Sequence, residues 1–367
     1  MKTSTLLRSL CVAVSLVAAQ EEPSGQWPPT TSGAYSISNF AFDNGDTLPN
    51  LDLHYQTIGE LKLSEDGSTN AVLILHGSSL GSSSQFLNED FASVLFNPGQ
   101  ILDAEKYFLI LPDQMGHGES STPRNTGLHA DFPGYQYSDM VRATHRLLTE
   151  HLSVNSTRLT MGVSMGGMHT WMFGEEYPDF SEALMPIACL PKEIAGHNRL
   201  WRKMFIELIR LDPAWQKGEY EEQPIVSLTG AMALLQIMNE GQASLQREYP
   251  TRESTDAFYE EAYAGLLANI NEYDVNNQIF AWNASYTYNP EPYLSKIRVP
   301  LTAVNTEDDL MNPPELEILE DAVQNKMRNG LGKAVIIPQS KKTFGHASYI
   351  AANLWKQELQ ALLERTE

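Results

Sequence analysis

Short apolar runs alternate with helix-like segments along most of the chain. Apolar runs bounded by glycine or polar turns are typical of strands that a parallel sheet buries on both faces. They lie at residues 71–75, 107–111, 159–163, 183–189, 299–304 and 334–337. Helix-like segments lie at residues 138–152, 168–177 and 348–363. This alternation predicts an α/β fold, with a mostly parallel sheet flanked by helices and right-handed crossovers.

The alternation stops between residues 195 and 296. Helix-like stretches follow one another there without a convincing strand between them, at 200–211, 225–238 and 255–270. We therefore predict a helical cap of residues 195–296, inserted into a core of residues 35–194 and 297–367. Such a cap lies over the strand ends at which ligands bind. Four apolar residues of the cap are candidates for a pocket lining: Met232, Leu235, Ile237 and Met238. They could also form the core of the cap, which is the commoner role for such residues.

The first residues have the pattern of a targeting signal. Lys2 and Arg8 give a basic start, and a short apolar run leads to small residues before Ala19. A run this short does not span a membrane, so we interpret residues 1–19 as a secretory signal peptide cleaved near Ala19. Residues 20–34, rich in proline, glycine, serine and threonine, are predicted to be a flexible leader. The protein is therefore expected to be secreted, without a membrane span after cleavage.

Cleavage would leave a single cysteine, Cys189, so no disulfide within the mature chain is expected. Its apolar surroundings in sequence are typical of a buried strand thiol. Two N-x-S/T sequences make Asn155 and Asn283 candidate glycosylation sites in a eukaryotic host.

Charge and motif content exclude several classes of function. The net charge of −21 repels phosphate backbones, so nucleic-acid binding is not expected. The chain has no H-E-x-x-H, no cysteine pair and no calcium-loop pattern, and no G-x-G-x-x-G follows a predicted strand. We therefore expect no metal and no cofactor. A small-molecule substrate is the expected partner.

The sequence Gly162-Val-Ser164-Met-Gly166 lies between a predicted strand and a predicted helix. This G-x-S-x-G pattern is typical of a nucleophile elbow, in which small neighbours permit a strained turn that exposes the serine oxygen. Ser164 is therefore the candidate nucleophile for acyl transfer. An inert glycine-rich loop is the alternative, and the flanking strand and helix make it less favourable.

A serine hydroxyl needs a base to take its proton and an acid to orient that base. The chain order in this type of fold is serine, acid, histidine. Only His346 remains after the last acidic turn, and it lies in a polar loop before the final predicted helix. Asp308 and Asp309 are both candidates for the acid; we favour Asp309 for its spacing from the following proline pair.

The developing oxyanion requires fixed donors. We predict the backbone N–H of Met165 as one and that of Ser78, in the turn after residues 71–75, as the other. His76 is interpreted as a brace for this turn, and His117 as structural.

Together these motifs resemble the α/β-hydrolase superfamily, specifically the branch of homoserine O-acetyltransferases and their hydrolase-type relatives. The resemblance extends from about residue 50 to the final helix. It is carried by Gly162-Val-Ser-Met-Gly-Gly-Met168, Asp212-Pro-Ala-Trp-Gln-Lys-Gly-Glu-Tyr220, Phe132-Pro133, Asp309 before Pro313-Pro314, and Gly345-His346. It implies Ser164, Asp309 and His346 as the catalytic triad.

Two positions depart from the pattern common in the homoserine enzymes. Their oxyanion turn commonly reads H-A-L-T-G, whereas this chain has His76-Gly77-Ser78-Ser79, and they commonly have glutamine where this chain has His169. No basic residue is identified that would hold an amino-acid carboxylate.

We expect a secreted serine hydrolase that cleaves an ester, thioester or lactone through an acyl-serine, because acyl-CoA donors are cytosolic. The alternative is an O-acyltransferase of the homoserine O-acetyltransferase type. A second alternative is a non-catalytic homologue that only binds a ligand. The acetyltransferase relatives also suggest a homodimer.

Overall fold

The computed structural model describes residues 27–78 and 81–366, in which eight strands form one sheet in the order β1-β2-β4-β3-β5-β6-β7-β8. β1 pairs antiparallel with β2, and β2 antiparallel with β4, while the remaining neighbours are parallel. The predicted α/β fold with a mostly parallel sheet is therefore confirmed. The strands are β1 Thr31–Ala41, β2 Thr47–Ile58, β3 Ala71–Leu75, β4 Phe108–Pro112, β5 Leu159–Val163, β6 Leu184–Ile187, β7 Leu301–Thr306 and β8 Gly332–Ile337.

Helices cover the sheet on both faces. Alternate residues of β3 belong to two separate apolar clusters, with Leu73 in one and Ile74 in the other, so both faces are buried. The α-helices are α1 Ala92–Leu95, α2 Tyr137–Arg146, α3 Met165–Glu176, α4 Gly196–Arg210, α5 Ile225–Asn239, α6 Gln242–Glu248, α7 Arg252–Ala268, α8 Val275–Asn283, α9 Ile318–Asp321 and α10 Lys356–Glu364. Among the residues described, no helix is both long and apolar enough to cross a membrane.

Short 3-10 and π turns occupy many of the connections. The 3-10 turns are Ser83–Phe86, His129–Asp131, Pro213–Gly218, Ile270–Glu272, Ala284–Thr287, Glu291–Lys296, Pro314–Leu316, His346–Ile350 and Ala352–Leu354. The π turns are Leu147–His151 and Ala322–Lys326. The first π turn completes the helix predicted at 138–152. The helix predicted at 348–363 begins only at Lys356, because two of the 3-10 turns precede it.

The predicted strands at 71–75 and 159–163 begin and end at the predicted residues. The antiparallel strands β1 and β2 were not predicted. β1 begins at Thr31, inside the segment predicted to be a flexible leader, so that prediction is wrong from residue 31 onward. Pairing with β2 orders β1, although most of its side chains are exposed. The predicted signal peptide and the leader up to residue 26 lie outside the described residues.

Helices α4 to α8 form the inserted segment, and they enclose an apolar cluster of their own. This cluster contains Trp201, Phe205, Leu228 and Trp282, together with Met311 from the loop after β7. The cap residues singled out in the sequence are not separated cleanly by the two roles considered, since Leu235 belongs to this cluster and also lines a cavity of the cap. Leu235 and Met238 are buried in this cluster, Met232 packs on it, and Ile237 is exposed.

Glu175, near the end of α3, is a buried carboxyl whose Oε2 has no hydrogen-bond partner within the described structure. Burial, and then the neighbouring charge of Glu176, raises the pKa of Glu175 to about 8. A carboxyl whose folded-state pKa exceeds its unfolded value of 4.5 binds more protons when folded. Its ionisation therefore destabilises the fold as the pH rises from about 4.5 towards 8.

We expect Glu175→Gln to raise the free energy of unfolding above about pH 8 by about 1–3 kcal/mol, and to change it little near about pH 5. Urea denaturation at the two pH values measures the difference. Glu60→Gln, at an exposed position, is the matched control and is expected to have no effect. An equal effect of Glu175→Gln at both pH values would contradict the ionisation argument.

Candidate active site

Ser164 occupies a strained turn between β5 and α3. Its backbone has φ 53° and ψ −113°, a conformation that costs a residue with a side chain about 1–3 kcal/mol. A side-chain carbon at Gly162 would lie 2.3 Å from the carbonyl oxygen of Gly166, and one at Gly166 would lie 2.0 Å from that of Leu75. The packing of the turn therefore requires both glycines of the G-x-S-x-G pattern.

His346 lies between Ser164 and Asp309, and all three side chains are buried. His346 Nε2 is 2.9 Å from Ser164 Oγ, and His346 Nδ1 is 2.9 Å from Asp309 Oδ2. An imidazole in this position can accept the serine proton at Nε2 while its Nδ1–H donates to the carboxylate. The structure thus brings together the three residues that the sequence analysis selected.

Hydrogen bonds from its own loop fix the carboxylate of Asp309. Its Oδ1 accepts from the backbone N–H groups of Met311, at 2.8 Å, and Asn312, at 3.0 Å. The side-chain amide of Asn312 donates to Asp309 Oδ2 at 3.2 Å and to the carbonyl oxygen of Ala188 at 3.0 Å. Sequence reasoning missed Asn312; its position three residues after a turn aspartate was the available signal.

Asp308, the alternative acid, points to a different partner. Its Oδ2 accepts from the backbone N–H of Gly345 at 3.1 Å, and its Oδ1 is buried without a hydrogen-bond partner in the described structure. Gly345 directly precedes His346 in the chain. Asp308 therefore holds the loop that carries the histidine, whereas Asp309 contacts the imidazole itself.

The space above Ser164 is a small cavity of about 10 Å³, enough for about one water molecule. The described residues that line it are Ser78, Ser164, Leu235, Asn239, Trp282, Met311, His346 and Tyr349. Met165 is the first residue of α3, so its backbone N–H has no partner within the helix. Of the two predicted oxyanion donors, Ser78 therefore lies in the cavity wall and Met165 directly follows Ser164.

His76 braces the turn that leads to Ser78. Its Nδ1 lies 2.6 Å from the carbonyl oxygen of Gly77, and its Nε2 accepts from the backbone N–H of Gln114 at 2.9 Å. Complete burial lowers the pKa of His76, which keeps the ring neutral so that Nε2 can accept. The backbone N–H of Gly77 donates a hydrogen bond to the side-chain amide oxygen of Gln85 at 2.8 Å, which also fixes this turn.

Three further side chains considered in the sequence analysis are buried away from the reacting atoms. Burial raises the pKa of the Cys189 thiol and disfavours the nucleophilic thiolate. Burial also lowers the pKa of His117 to about 3 and that of His169 well below its usual value. His169 Nδ1 contacts the amide oxygen of Gln114. His117, whose ring packs against that of His76, and His169 fit structural roles under the oxyanion turn, and Cys189 fits a buried structural role after β6.

The described part of the cavity wall contains neither lysine nor arginine. Arg202 is buried one layer behind, with its guanidinium 4.9 Å from the ring centre of Trp282, and it donates to Asn198 Oδ1 at 2.7 Å and Ser285 Oγ at 3.1 Å. An anionic substrate group at Ser164 would therefore lack a direct ionic partner in this wall.

Comparisons with known proteins agree with this geometry. A family model described as the alpha/beta hydrolase fold matches residues 70–334. A probable acyltransferase from Methanothermobacter thermautotrophicus is 28% identical over 290 residues, covering 78% of this chain and 85% of that protein. A homoserine O-acetyltransferase from Pelobacter propionicus is 26% identical over 342 residues, covering 84% of this chain and 89% of that protein.

Solved structures share the fold. The crystal structure of an acetylester hydrolase from Corynebacterium glutamicum superposes with a TM-score of 0.75 at 21% sequence identity, covering 91% of this chain and 96% of that one. The proteins most similar to this chain therefore include enzymes named for acyl transfer to an alcohol and enzymes named for ester hydrolysis.

Exchanging each aspartate separately distinguishes their roles. We expect Asp309→Asn to lower kcat for an activated ester such as p-nitrophenyl acetate by about 10³- to 10⁴-fold, because the imidazole loses its orienting carboxylate. Asp308→Asn keeps an oxygen that can accept from the N–H of Gly345, so we expect a loss of about tenfold at most. Steady-state kinetics of the two purified variants measure the ranking.

Thermal unfolding of both variants is the accompanying control, since a loss of fold would lower activity without any catalytic cause. If the variants unfold at similar temperatures and Asp308→Asn has the larger kinetic effect, Asp308 is the acid and the assignment of Asp309 is wrong.

Proposed function

The chain belongs to the alpha/beta hydrolase fold family, and we propose that it is an O-acyltransferase that works through an acyl-serine at Ser164. The distance of 2.9 Å between Ser164 Oγ and His346 Nε2 carries the proposal, since it allows direct proton transfer. The donor is an acyl ester or thioester, and the acceptor is an alcohol.

The reaction has two matched halves. His346 Nε2 takes the proton of Ser164 as Oγ attacks the acyl carbonyl, and the N–H groups of Met165 and Ser78 stabilise the oxyanion. His346 then protonates the leaving group, which departs and leaves the acyl-serine. In the second half His346 removes the proton of the acceptor hydroxyl, whose oxygen forms the new ester bond as Ser164 regains its proton.

Transfer to an alcohol is favoured over hydrolysis by water exclusion. Ser164 is only 6% exposed, and the cavity above it holds about one water molecule. An acyl-enzyme in a closed site reacts with the acceptor that is bound there rather than with bulk water. Two relatives that match over most of both chains are named as acyltransferases, which supports the same choice.

Hydrolysis is the second candidate, and one observation favours it. Because the described cavity wall lacks lysine and arginine, a free amino acid such as homoserine would bring its carboxylate there without a counter-ion. If the acceptor is an alcohol, it is therefore a neutral one. A single water molecule also fits the space, and the similar acetylester hydrolase fold is compatible with that outcome.

We further propose that the protein is secreted and glycosylated, as its first residues and its two sequons suggest. Both asparagines, Asn155 and Asn283, have exposed side chains, which glycosylation requires. We also propose a homodimer. Exposed large apolar side chains concentrate on the cap helices, and such a patch is typical of an interaction surface; it includes Leu200, Met204, Leu208, Leu211 and Val226.

The nature of the acceptor is tested by product analysis. With p-nitrophenyl acetate as donor and a neutral alcohol such as butanol present, we expect the acetyl ester of the alcohol to exceed free acetate. Homoserine at the same concentration is expected to give little O-acetyl product. Free acetate as the main product at every alcohol concentration would favour the hydrolase.

Ser164→Ala is the control for the covalent step. A fluorophosphonate probe is expected to label the wild-type protein and not this variant, and the variant is expected to form neither product. An unlabelled and inactive wild-type protein would instead indicate the non-catalytic, ligand-binding homologue.

A further inference from the structure

A second and much larger cavity, partly open to solvent at Ile237 and Tyr259, lies between α5, α6 and α7 of the cap. Its volume is about 490 Å³, within the range of small-molecule sites. Its walls are mainly apolar and aromatic, with a few amide and hydroxyl groups among them. The lining residues used below are Leu235, Asn239, Ala262, Ile237 and Tyr259.

Two residues of α5 line both this cap cavity and the small cavity above Ser164. They are Leu235 and Asn239, one helical turn apart and 4% and 7% exposed. No acyl group fits the space for about one water molecule above Ser164, so a bound substrate must displace neighbouring side chains. Displacement of these two side chains opens the small cavity into the large one.

Asn239 adds a polar group at this junction. Its side chain lies in the wall of both cavities. A side-chain amide carries both donor and acceptor atoms, so in a cavity wall it can hydrogen-bond to a ligand. The amide can therefore pair with a polar atom close to the ester group, while the rest of the ligand meets apolar walls.

We infer that the cap cavity is the subsite for the apolar chain of the ester substrate, an inference that rests on the proposed function at Ser164. The ester group lies at Ser164, and the chain passes between Leu235 and Asn239 into the cap. The substrate class is then an ester with a medium-length aliphatic chain or an aromatic group of similar size, rather than an acetyl ester of a small alcohol.

A blocking substitution tests the subsite. Ala262 on α7 lines the cavity, whereas Ala264, two residues further along the same helix, is exposed and does not line it. We expect the wild type to prefer octanoyl and decanoyl over acetyl p-nitrophenyl esters in kcat/KM. Ala262→Trp is expected to lower kcat/KM for the decanoyl ester by about tenfold or more, because the indole fills the cavity. Ala264→Trp and all acetyl-ester rates are expected to stay unchanged.

Ethyl decanoate and decyl acetate distinguish the two ends of the ester. If Ala262→Trp suppresses turnover of ethyl decanoate, the cavity holds the acyl chain. If it suppresses turnover of decyl acetate, the cavity holds the alcohol chain. If neither is affected, the cavity is not a substrate subsite.

Binding without turnover provides a second measurement. We expect Ser164→Ala to bind the neutral ester ethyl decanoate by titration calorimetry, and Ser164→Ala/Ala262→Trp to bind it about tenfold more weakly or not at all. The inference is overturned if kcat/KM does not depend on chain length and Ala262→Trp has no effect on it. In that case the proposed function stays intact as long as acetyl esters are turned over. Loss of all ester turnover and of Ser164 labelling in the wild type would instead overturn the proposed function.

A second copy of the chain is the competing occupant. Ile237 and Tyr259, at 64% and 59% exposure, form part of the lining and could contact a partner protomer. If Ala262→Trp changes the oligomeric state in sedimentation experiments without changing chain-length preference, the cavity belongs to an interface and the subsite is rejected.

Discussion

The hydrogen bond between Ser164 Oγ and His346 Nε2 joins residues 182 positions apart, and the remaining parts of the site hold its two ends in place. Ser164 and His346 each lie on a turn that contains a glycine whose position has no room for a side chain. Gly166 contacts the backbone of β3, and Gly345 has φ 89° in a position where a side-chain carbon would lie 2.3 Å from the N–H nitrogen of Gly241. The parallel sheet provides the rigid base, because both turns follow directly from its strands or from the loops at their carboxyl ends.

The cap is connected to this bond through the backbone. Gly241, at the junction of α5 and α6, donates its N–H to the carbonyl oxygen of Phe344 at 3.0 Å, two residues before His346. Met311, two residues after Asp309, packs in the apolar cluster of the cap. A displacement of α5 large enough to admit substrate therefore acts on the loops of both the histidine and the acid. If substrate enters as proposed, its entry is therefore coupled to the alignment of Ser164, His346 and Asp309.

Sequence alone was sufficient for the features that depend on local patterns. The elbow at Ser164 is specified by its glycines, and the continuous apolar runs predict strands such as β3 and β5. Features that depend on partners distant in the chain were not predictable. β1 has mostly exposed side chains and is held by pairing with β2, and Asn312 acquires its role only because the fold brings it to Asp309 and Ala188. The spacing from the proline pair favoured Asp309 over Asp308 in the sequence, but only the position of the imidazole gives the physical reason, since the two carboxylates are adjacent in the chain.

Burial also limits which acceptors the proposed acyl-serine could react with. An anionic acceptor must give up its hydration to enter a closed cavity, and only a cation in the wall would compensate for that loss. Arg202 does not provide this cation at the surface of the wall, because its guanidinium is already held by Asn198 and Ser285 and stacks against Trp282. A free amino acid would have to desolvate its carboxylate in this wall, whereas a neutral alcohol avoids that cost. The electrostatics of the described wall therefore select against a free amino acid as the acceptor in the proposed transfer.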